Sequence, residues 1–478
     1  MLLRDADFNG NRCDLRIVGS QIAAVAPWLA AEAGEAVVEA RGGAIVPGLH
    51  DHHIHLNALA AAAASVDCGP PLDADMLQDR LRRHRRNAPG PSWIRGVGYH
   101  ASVAGNIDRD WLDACVPDVP VRIQHRSGRL WILNSCALEI VLAGAAYGDP
   151  LERECGRPTG RLYDADLWLR SRVRGAPISI AAVSANLARW GVTGVTDASH
   201  ANGLEELEHF RAEQRSGALL QDLCIMGNES LDFARSEVAL AIGPRKFHLH
   251  DNDLPDPDRL RHLLQIAHRA GRAAAFHCVT VAELVTALRC IEDAGSAGSD
   301  RIEHGAMIPP DTIAWMARLG TAVITQPNFV YERGDTYCRE VAREELPWLY
   351  RCASLRDSGV PVAFGSDAPY GAANPWMTMQ AAVTRRTAQG VLLGDGEQVS
   401  PELALAMFTT DPSNPGTRRA SLQIGSVATL CLLDRSWDLA RNALGDVAVR
   451  LTLKSGRPLW EESGLFDPTM AWTRGLAN

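Results

Sequence analysis

The feature that most constrains the fold is an alternation of short apolar strand candidates with helix-like segments, from about Gly48 to Pro412. In eight segments an apolar run ends in polar residues: VPGLHDHHIHL, GVTGVTDAS, LQDLCIMGN, PRKFHLHD, AAAFHCV, RIEHGA, AVITQPN and PVAFGSDAP. Amphipathic segments such as DPDRLRHLLQIAHRAG lie between them. Alternating strands and helices build a parallel sheet, and eight such units make a TIM barrel. The sequence predicts a TIM (β/α)8 barrel over residues 48–412, with a doubly wound open sheet as the alternative.

The two ends of the chain carry a different pattern, in which short apolar runs are separated by turn residues. These runs lie in DLRIVGSQIAAVAPWL and EAVVEARGGAIVPG near the start, and in QIGSVATLCLLD and VRLTLKSGRPLW near the end. Such runs are typical of short antiparallel strands, but each end alone holds too few strands to be stable. The sequence therefore predicts that residues 1–47 and 413–465 form one composite β-sandwich domain.

A long segment between the first and second strand candidates interrupts the alternation. It covers residues 68–178 and carries PVRIQHRSGRLWILNS and CGRPTGRLYDADLW. An insertion of this length on the catalytic face of a barrel usually covers the pocket. We therefore expect it to form a lid or substrate-recognition subdomain.

The bulk composition narrows the choice of partner and compartment. A formal net charge of -9 argues against nucleic acid or an anionic membrane surface as the main partner. The 11 cysteines are scattered without a CxxC pair, as in a reduced cytosolic chain. The start MLLRDADFNGN lacks the apolar core of a signal peptide, and no apolar run approaches the roughly 20 residues of a membrane span. The sequence predicts a cytoplasmic protein that acts on a small-molecule substrate.

Candidate metal ligands stand at the carboxyl ends of the strand candidates, where barrel enzymes place their reactive side chains. His53 and His55 are two residues apart, so on a strand both imidazoles point the same way and can reach one ion. His50 and His52 fall on the other face and are predicted to be structural. Three more groups of ligand type follow at later strand ends: His277, His304 and Asp367. Singly, each histidine could be a satisfied core residue and the aspartate a helix N-cap.

Lys246, in the apolar strand candidate PRKFHLHD, is a ligand candidate of another kind. Of 48 basic residues only Lys246 and Lys454 are lysine, so the chain uses arginine wherever a generic cation suffices. A desolvated lysine can lose its proton, which arginine cannot do in a protein. A neutral lysine can then take up carbon dioxide to form a carbamate, an anionic oxygen ligand able to bridge two cations. The alternative is a chance lysine that snorkels to the surface, which suits Lys454 in its turn better.

Together these residues resemble the metal-dependent amidohydrolase superfamily, and within it the YtcJ-like or amidohydrolase 3 branch, which includes N-substituted formamide deformylases. The resemblance spans nearly the whole chain, in VPGLHDHHIHL, SGRLWILNSCAL, GRPTGRL, AFHCVT, DRIEHGA, TQPNF and GSDAPYGAANPW. It implies that His53, His55 and Asp367 bind a more buried ion. His277 and His304 would bind a more exposed ion, with carboxylated Lys246 as the bridge of a binuclear centre. Mixed imidazole and carboxylate ligands suit Zn²⁺, with Mn²⁺ or Fe²⁺ as alternatives.

The reaction implied by this resemblance is hydrolysis of a carbon-nitrogen bond in an amide, formamide or cyclic amide by a metal-activated hydroxide. Asp367 would take the proton from the attacking water and hand it to the leaving nitrogen, while the exposed metal polarises the carbonyl. Alternatives on the same site are lactone or ester hydrolysis, deamination and decarboxylation. A noncatalytic scaffold is a further alternative, although every expected ligand is present. The resemblance also leads us to expect a homodimer.

Candidates for orienting the substrate lie in the insertion and after the seventh strand candidate: Tyr99, His125, Arg129, Trp131, Gln326 and Asn328. Each has an ordinary structural alternative, such as a core position for Trp131 or a surface ion pair for Arg129. Where the branch pattern has Asp-Gly-His, this chain has Ser127-Gly128-Arg129, which predicts a changed pocket charge and substrate preference. His248 and His250 share a strand face with Lys246, and either could contact substrate or compete as a ligand.

Overall fold

The computed structural model describes residues 1–87, 93–143, 149–173, 179–417 and 421–465. The chain divides into two compact units, one formed by residues 1–56 with 179–478 and the other by residues 57–178. The first unit contains two small sheets and one large sheet, and the second unit contains a sheet of its own.

The strands follow each other in three groups. Six strands precede the second unit: β1 (Leu2–Phe8), β2 (Asn11–Val18), β3 (Gln21–Ala26), β4 (Val37–Glu39), β5 (Ile45–Pro47) and β6 (Leu49–Ile54). The second unit holds β7 (Val66–Asp67), β8 (Ile94–Tyr99), β9 (Val121–His125), β10 (Leu130–Leu133), β11 (Leu151–Glu154) and β12 (Arg157–Tyr163). The chain continues with β13 (Val192–Asp197), β14 (Asp222–Gly227), β15 (Leu240–His248), β16 (Ala274–Cys278), β17 (Arg301–His304), β18 (Ala322–Thr325), β19 (Val362–Phe364), β20 (Leu430–Leu433), β21 (Val449–Lys454) and β22 (Arg457–Glu461).

The helices also group by position in the chain. Six begin within residues 56–173: α1 (Leu56–Ala63), α2 (Ala74–Asn87), α3 (Ala101–Ala104), α4 (Arg109–Cys115), α5 (Ser135–Leu142) and α6 (Asp166–Arg172). The others are α7 (Ala181–Arg189), α8 (Leu204–Arg215), α9 (Pro257–Arg269), α10 (Val281–Ala294), α11 (Pro310–Leu319), α12 (Asn328–Glu340), α13 (Ala353–Asp357), α14 (Pro375–Thr384), α15 (Pro401–Met407) and α16 (Trp437–Ala440). Of the helices in the described ranges, none has the length and apolar character needed to cross a membrane.

The large sheet is an eight-stranded parallel barrel whose strand order, β6 and then β13 to β19, follows the chain. Beyond β19 the Asp367 N–H donates to the His53 carbonyl at 2.8 Å, and the His55 N–H donates to the Ala368 carbonyl at 2.9 Å. The last strand segment therefore meets the first. A doubly wound sheet would reverse its strand order at a switch point. The predicted TIM barrel is confirmed, and each of the eight predicted segments overlaps one barrel strand.

Local sequence explains why the barrel helices begin where they do. The Asp256 side chain accepts a hydrogen bond from the Arg259 N–H, and Pro257 occupies the first turn of α9, where its missing N–H costs nothing. Thr280 and Glu283 form a capping box at the start of α10. These contacts fix the starts of α9 and α10, which follow β15 and β16. Each of these two helices leads the chain back to the start of the next parallel strand.

The two chain ends build one β-sandwich, as predicted. One sheet has the order β3-β2-β1-β4, and the other has the order β22-β21-β20-β5. The two sheets share a single apolar core that draws on both termini, including Leu3, Leu15, Ile45, Leu432 and Leu451. Neither sheet could bury its apolar face alone, and the contact between them removes both faces from water.

We expect truncation of Leu432 to alanine to destabilise this sandwich by about 2–5 kcal/mol, because the side chain is fully buried between neighbours on both adjoining strands. Ile424→Ala is the matched control, since Ile424 is 60% exposed and should change the free energy of unfolding by less than about 0.5 kcal/mol. Urea unfolding followed by circular dichroism measures both. Equal losses for the two variants would contradict the shared core.

The second unit has a mixed six-stranded sheet with the order β11-β12-β10-β9-β8-β7. Its apolar cores contain Leu77, Leu112 and Ile123 on one side and Trp131, Leu138 and Leu162 on the other. The chain enters this unit after β6 and leaves it before β13, so the predicted long insertion after the first barrel strand is confirmed. Its role as a lid stays a prediction.

Candidate metal centre

The carboxyl ends of the barrel strands carry the side chains that the sequence pattern singled out. His53 belongs to β6, with His55 just beyond it, and Lys246 and His277 belong to β15 and β16. His304 ends β17, and Asp367 follows β19. Because these strands are parallel and adjacent, their ends meet at one rim of the barrel.

At that rim the side chains approach within a few ångströms of each other. One potential ligand atom from each of His53, His304 and Asp367 lies within 4.8 Å of the other two. Asp367 Oδ1 is 3.5 Å from His53 Nε2 and 3.3 Å from His55 Nε2. His304 Nε2 is 3.0 Å from His277 Nδ1. Five of the six predicted ligands therefore form one connected group.

Lys246 joins this group through a residue that the sequence analysis did not single out. Its Nζ lies 4.0 Å from Glu303 Oε2, and the same carboxylate contacts His53 Nδ1. Glu303 is completely buried and also accepts a hydrogen bond from Arg301 Nε at 2.6 Å. The signal that could have revealed it is a glutamate inside a short buried strand, between Ile302 and the predicted ligand His304.

Unsatisfied polar atoms test whether these residues suit a cation. Within the described part of the chain, His53 Nε2, Asp367 Oδ1 and Lys246 Nζ are buried and have no hydrogen-bond partner. Buried polar atoms are normally paired, because an unpaired one loses its hydration without compensation. A divalent cation would satisfy the lone pairs of the imidazole and the carboxylate. The donor set fits such an ion, and mixed nitrogen and oxygen donors suit zinc.

Burial and neighbouring charges together shift the pKa values of these groups. Burial lowers the pKa of His53 to about 3, with a further contribution from the charge of Lys246. Burial likewise lowers the pKa of Lys246 to about 8, although Glu303 acts in the opposite direction. Burial would raise the pKa of Asp367, but His55, His304 and His53 hold it at about 2. Neutral imidazoles and an ionised carboxylate are the forms that bind metal.

The backbone at the rim has an unusual conformation at two of these residues. His304 has φ of 69° and Asp367 has φ of 55°, in the left-handed region that residues other than glycine seldom occupy. Such residues cluster at functional sites, where the surrounding structure holds them in place. Gly365 permits the close approach of this segment to β6, because a Cβ there would lie 2.6 Å from the backbone nitrogen of His53.

Two predicted substrate contacts from the barrel are buried and bonded within the protein. Gln326 Oε1 accepts from His304 Nδ1 at 2.9 Å, and Gln326 Nε2 donates to the Ile324 carbonyl at 3.3 Å. Asn328 Nδ2 donates to the Ser366 carbonyl at 3.1 Å. Gln326 thus supports a candidate ligand, and Asn328 ties α12 to the segment that carries Asp367. Direct contact of either residue with substrate stays a prediction.

The other histidines near the rim fall into two classes. His50 and His52 are buried, and their Nε2 atoms each lie 2.9 Å from a threonine hydroxyl, on Thr196 and Thr410 respectively. These contacts agree with the structural role predicted for both. His248 is exposed, and its ring centroid lies 4.4 Å from that of His277 and 4.3 Å from that of His250. His248 therefore lies beside the candidate ligand His277, and His250 lies next to His248.

The remaining predicted substrate contacts belong to the second unit. The Tyr99 hydroxyl donates to the Gly105 carbonyl at 2.6 Å, and Trp131 is buried in an apolar core. His125 Nδ1 lies 2.8 Å from the Ser127 hydroxyl. Arg129 forms a two-pronged ion pair with Asp164. Their contact with substrate stays a prediction, and the structural alternatives for Trp131 and Arg129 match what is seen within this unit.

The chain is similar to known proteins over most of its length. The model of the Amidohydro_3 amidohydrolase family matches residues 36–460. An N-substituted formamide deformylase of Arthrobacter pascens is 28% identical, with 90% of each chain covered. The YtcJ protein of Bacillus subtilis (strain 168) is 22% identical over 73% of this chain and 75% of its own.

Solved structures agree on the fold. An uncharacterized metal-dependent hydrolase from Pyrococcus horikoshii superimposes with a TM-score of 0.76 at 21% identity, covering 93% of this chain and 99% of its own. The family match includes the whole barrel and the strand ends that carry the candidate ligands. The chain is a member of the Amidohydro_3 branch of the amidohydrolase family.

Proposed function

We propose that this protein is a metal-dependent hydrolase that cleaves the carbon-nitrogen bond of N-substituted formamides or related amides. The observation that carries the proposal is the convergence of His53, His304 and Asp367 at the barrel rim. In the described part of the chain, His53 Nε2 and Asp367 Oδ1 are buried there without a hydrogen-bond partner. The similarity to a formamide deformylase over 90% of the chain supports the choice of bond.

The resemblance to the amidohydrolases assigns the residues at the rim to two cations. His53, His55 and Asp367 would hold one ion, and His277 and His304 would hold the other. Lys246, buried and without a hydrogen-bond partner in the described structure, would bridge them once carboxylated. Zn²⁺ suits these ligands, and Mn²⁺ or Fe²⁺ are alternatives. Bound there, a divalent ion would acidify water and polarise the substrate carbonyl.

Side chains of the protein carry out the proton transfers of the proposed reaction. Asp367 is ionised and buried, so it accepts a proton from the attacking water and delivers it to the departing nitrogen. Delivery matters because an amine is a poor leaving group unless it is protonated. Gln326 holds His304 through Nδ1 and thereby fixes the direction of His304 Nε2.

A matched set of three substrates tests the choice of bond: N-butylformamide, N-butylacetamide and butyl formate. We expect the zinc-loaded protein to release formate from N-butylformamide, to lose this activity with a chelator and to regain it when zinc is restored. The acetamide tests tolerance for a larger acyl group, and the ester tests whether nitrogen is required. Cleavage of butyl formate with neither amide hydrolysed would contradict amide hydrolysis and favour the ester or lactone alternative.

A cytoplasmic location and a dimer complete the proposal. All 11 cysteines lie in the described ranges and are free thiols, which supports a reducing compartment. Dimerisation rests on the sequence resemblance, and light scattering on the purified protein measures it.

A further inference from the structure

A buried ion pair lies directly behind the candidate metal centre. Glu303 and Arg301 both belong to β17 and are both almost completely excluded from solvent. Glu303 Oε1 accepts from Arg301 Nε at 2.6 Å, and the other oxygen of Glu303 accepts from His53 Nδ1. Arg301 also donates to the His52 carbonyl at 3.2 Å. The pair therefore joins β17 to the first barrel strand at the position of the candidate ligand.

The contact with Glu303 decides which nitrogen of His53 carries its hydrogen. An ionised carboxylate can only accept, so the hydrogen of a neutral imidazole lies on Nδ1. The lone pair then lies on Nε2, which is 3.5 Å from Asp367 Oδ1 and has no partner in the described structure. The opposite tautomer would place an N–H where a cation must bind.

Arg301 makes an ionised carboxylate tolerable in this interior. Glu303 and Arg301 are both almost completely excluded from water, and the positive guanidinium lies 2.6 Å, from Nε to Oε1, from the carboxylate that it neutralises. The guanidinium contacts the carboxylate oxygen that His53 does not use. One oxygen of Glu303 thus accepts from Arg301, and the other accepts from the imidazole of His53.

We propose that Glu303 is a positioning residue that, held by Arg301, fixes the tautomer and direction of His53 for binding a divalent cation through Nε2. The inference rests on the proposed function, because it concerns the same metal site. It adds a residue that no ligand pattern in the sequence reveals. The neighbouring ligand candidate, His304, is held differently, by the neutral amide of Gln326. A charged acceptor raises the basicity of an imidazole more than a neutral one does.

Glu303→Gln tests this proposal, because the amide keeps the shape of the side chain and loses its charge. We expect zinc affinity, measured by chelator competition on the full-length protein, to fall about 10- to 100-fold. The absorption spectrum of the cobalt-substituted protein should also change, since it reports the ligand field. Thr410→Val is the matched control, because it removes the partner of the adjacent histidine, His52. It should alter stability and leave zinc affinity unchanged.

A double variant is needed as a folding control, because Glu303→Gln leaves the Arg301 charge buried without its partner and could destabilise the protein. Arg301→Met combined with Glu303→Gln removes both charges and should fold with the same loss of zinc affinity. In the metal-free parent, a long-range 1H–15N spectrum should place the His53 hydrogen on Nδ1, with the signal assigned by its loss in His53→Asn. This measurement tests the tautomer of His53 even if the Glu303 variants do not fold, because it uses the parent protein.

The outcomes separate this inference from the proposed function. Parent-like zinc affinity in both Glu303 variants, or a His53 hydrogen on Nε2, would overturn the positioning role and leave the metal hydrolase standing. A parent that binds no zinc would overturn both. Reduced affinity in the Glu303 variants with an unchanged Thr410→Val protein supports the positioning role.

Discussion

Replacing Asp367 with asparagine is expected to lower kcat for formamide hydrolysis by at least about 10³-fold while the protein stays folded. The carboxylate lies between His53 and His55 and is the proposed acceptor and donor of the proton. General acid-base catalysis alone contributes about 10²- to 10⁴-fold, and the variant also loses an anionic ligand. Steady-state formate release at saturating zinc measures the effect, and circular dichroism checks the fold.

Asp51→Asn is the matched control for this experiment. Asp51 is also a buried aspartate, but its Oδ1 accepts from the backbone N–H groups of His53 at 3.1 Å and Ser366 at 3.0 Å. An asparagine oxygen can accept the same bonds, so kcat should change little even if stability falls. Asp367→Asn with near-parental kcat, or equal losses in both variants, would contradict the proton-transfer role of Asp367.

Replacing Lys246 with arginine is expected to reduce the metal content from about two ions per chain to one or fewer, with a matching loss of activity. Arginine keeps the positive charge but cannot form a carbamate. Elemental mass spectrometry on protein grown with zinc and bicarbonate measures the metal. In parallel, protein equilibrated with 13C-labelled bicarbonate should show a carbamate resonance that Lys246→Arg lacks.

The low lysine content of the chain makes the assignment of a carbamate resonance to Lys246 straightforward. Only two lysines exist, and Lys454→Arg is the control because Lys454 Nζ already bonds the Leu220 carbonyl and Asp222. That variant should keep both the resonance and the metal. One ion per chain in the parent and in Lys246→Arg would mean that Lys246 is no bridge. His248 and His250 would then be the next residues to test.

The barrel was predictable because its signals are local. Each strand segment is a short apolar run, and two of the intervening helices, α9 and α10, also carry their own caps at Asp256 and Thr280. The ligand candidates could be found for the same reason, since parallel strand ends must share one rim. His50 and His52 could be separated from His53 and His55 because alternate residues of a strand face opposite ways.

What the sequence missed depends on contacts between distant segments. Glu303 resembles any polar residue near a strand end until His53 and Arg301 are placed around it. The hydrogen bond from His304 to Gln326 depends on the placement of β17 beside β18. A surface ion pair was one alternative for Arg129, but its partner Asp164 can be named only once β10 and β12 are known to be neighbours.

The pairing of β5 with β20 has a consequence for how this chain is made. Val46 faces Cys431 across that pair, so the second sheet of the sandwich is incomplete until the strands β20 to β22 have been synthesised. Until then the first four strands expose an apolar face that β20 and β21 cover in the folded protein. Pairing between residues so far apart in the chain is slow. A nascent chain that has not reached Leu430 would therefore leave side chains of that face, such as Leu3 and Leu15, exposed to water.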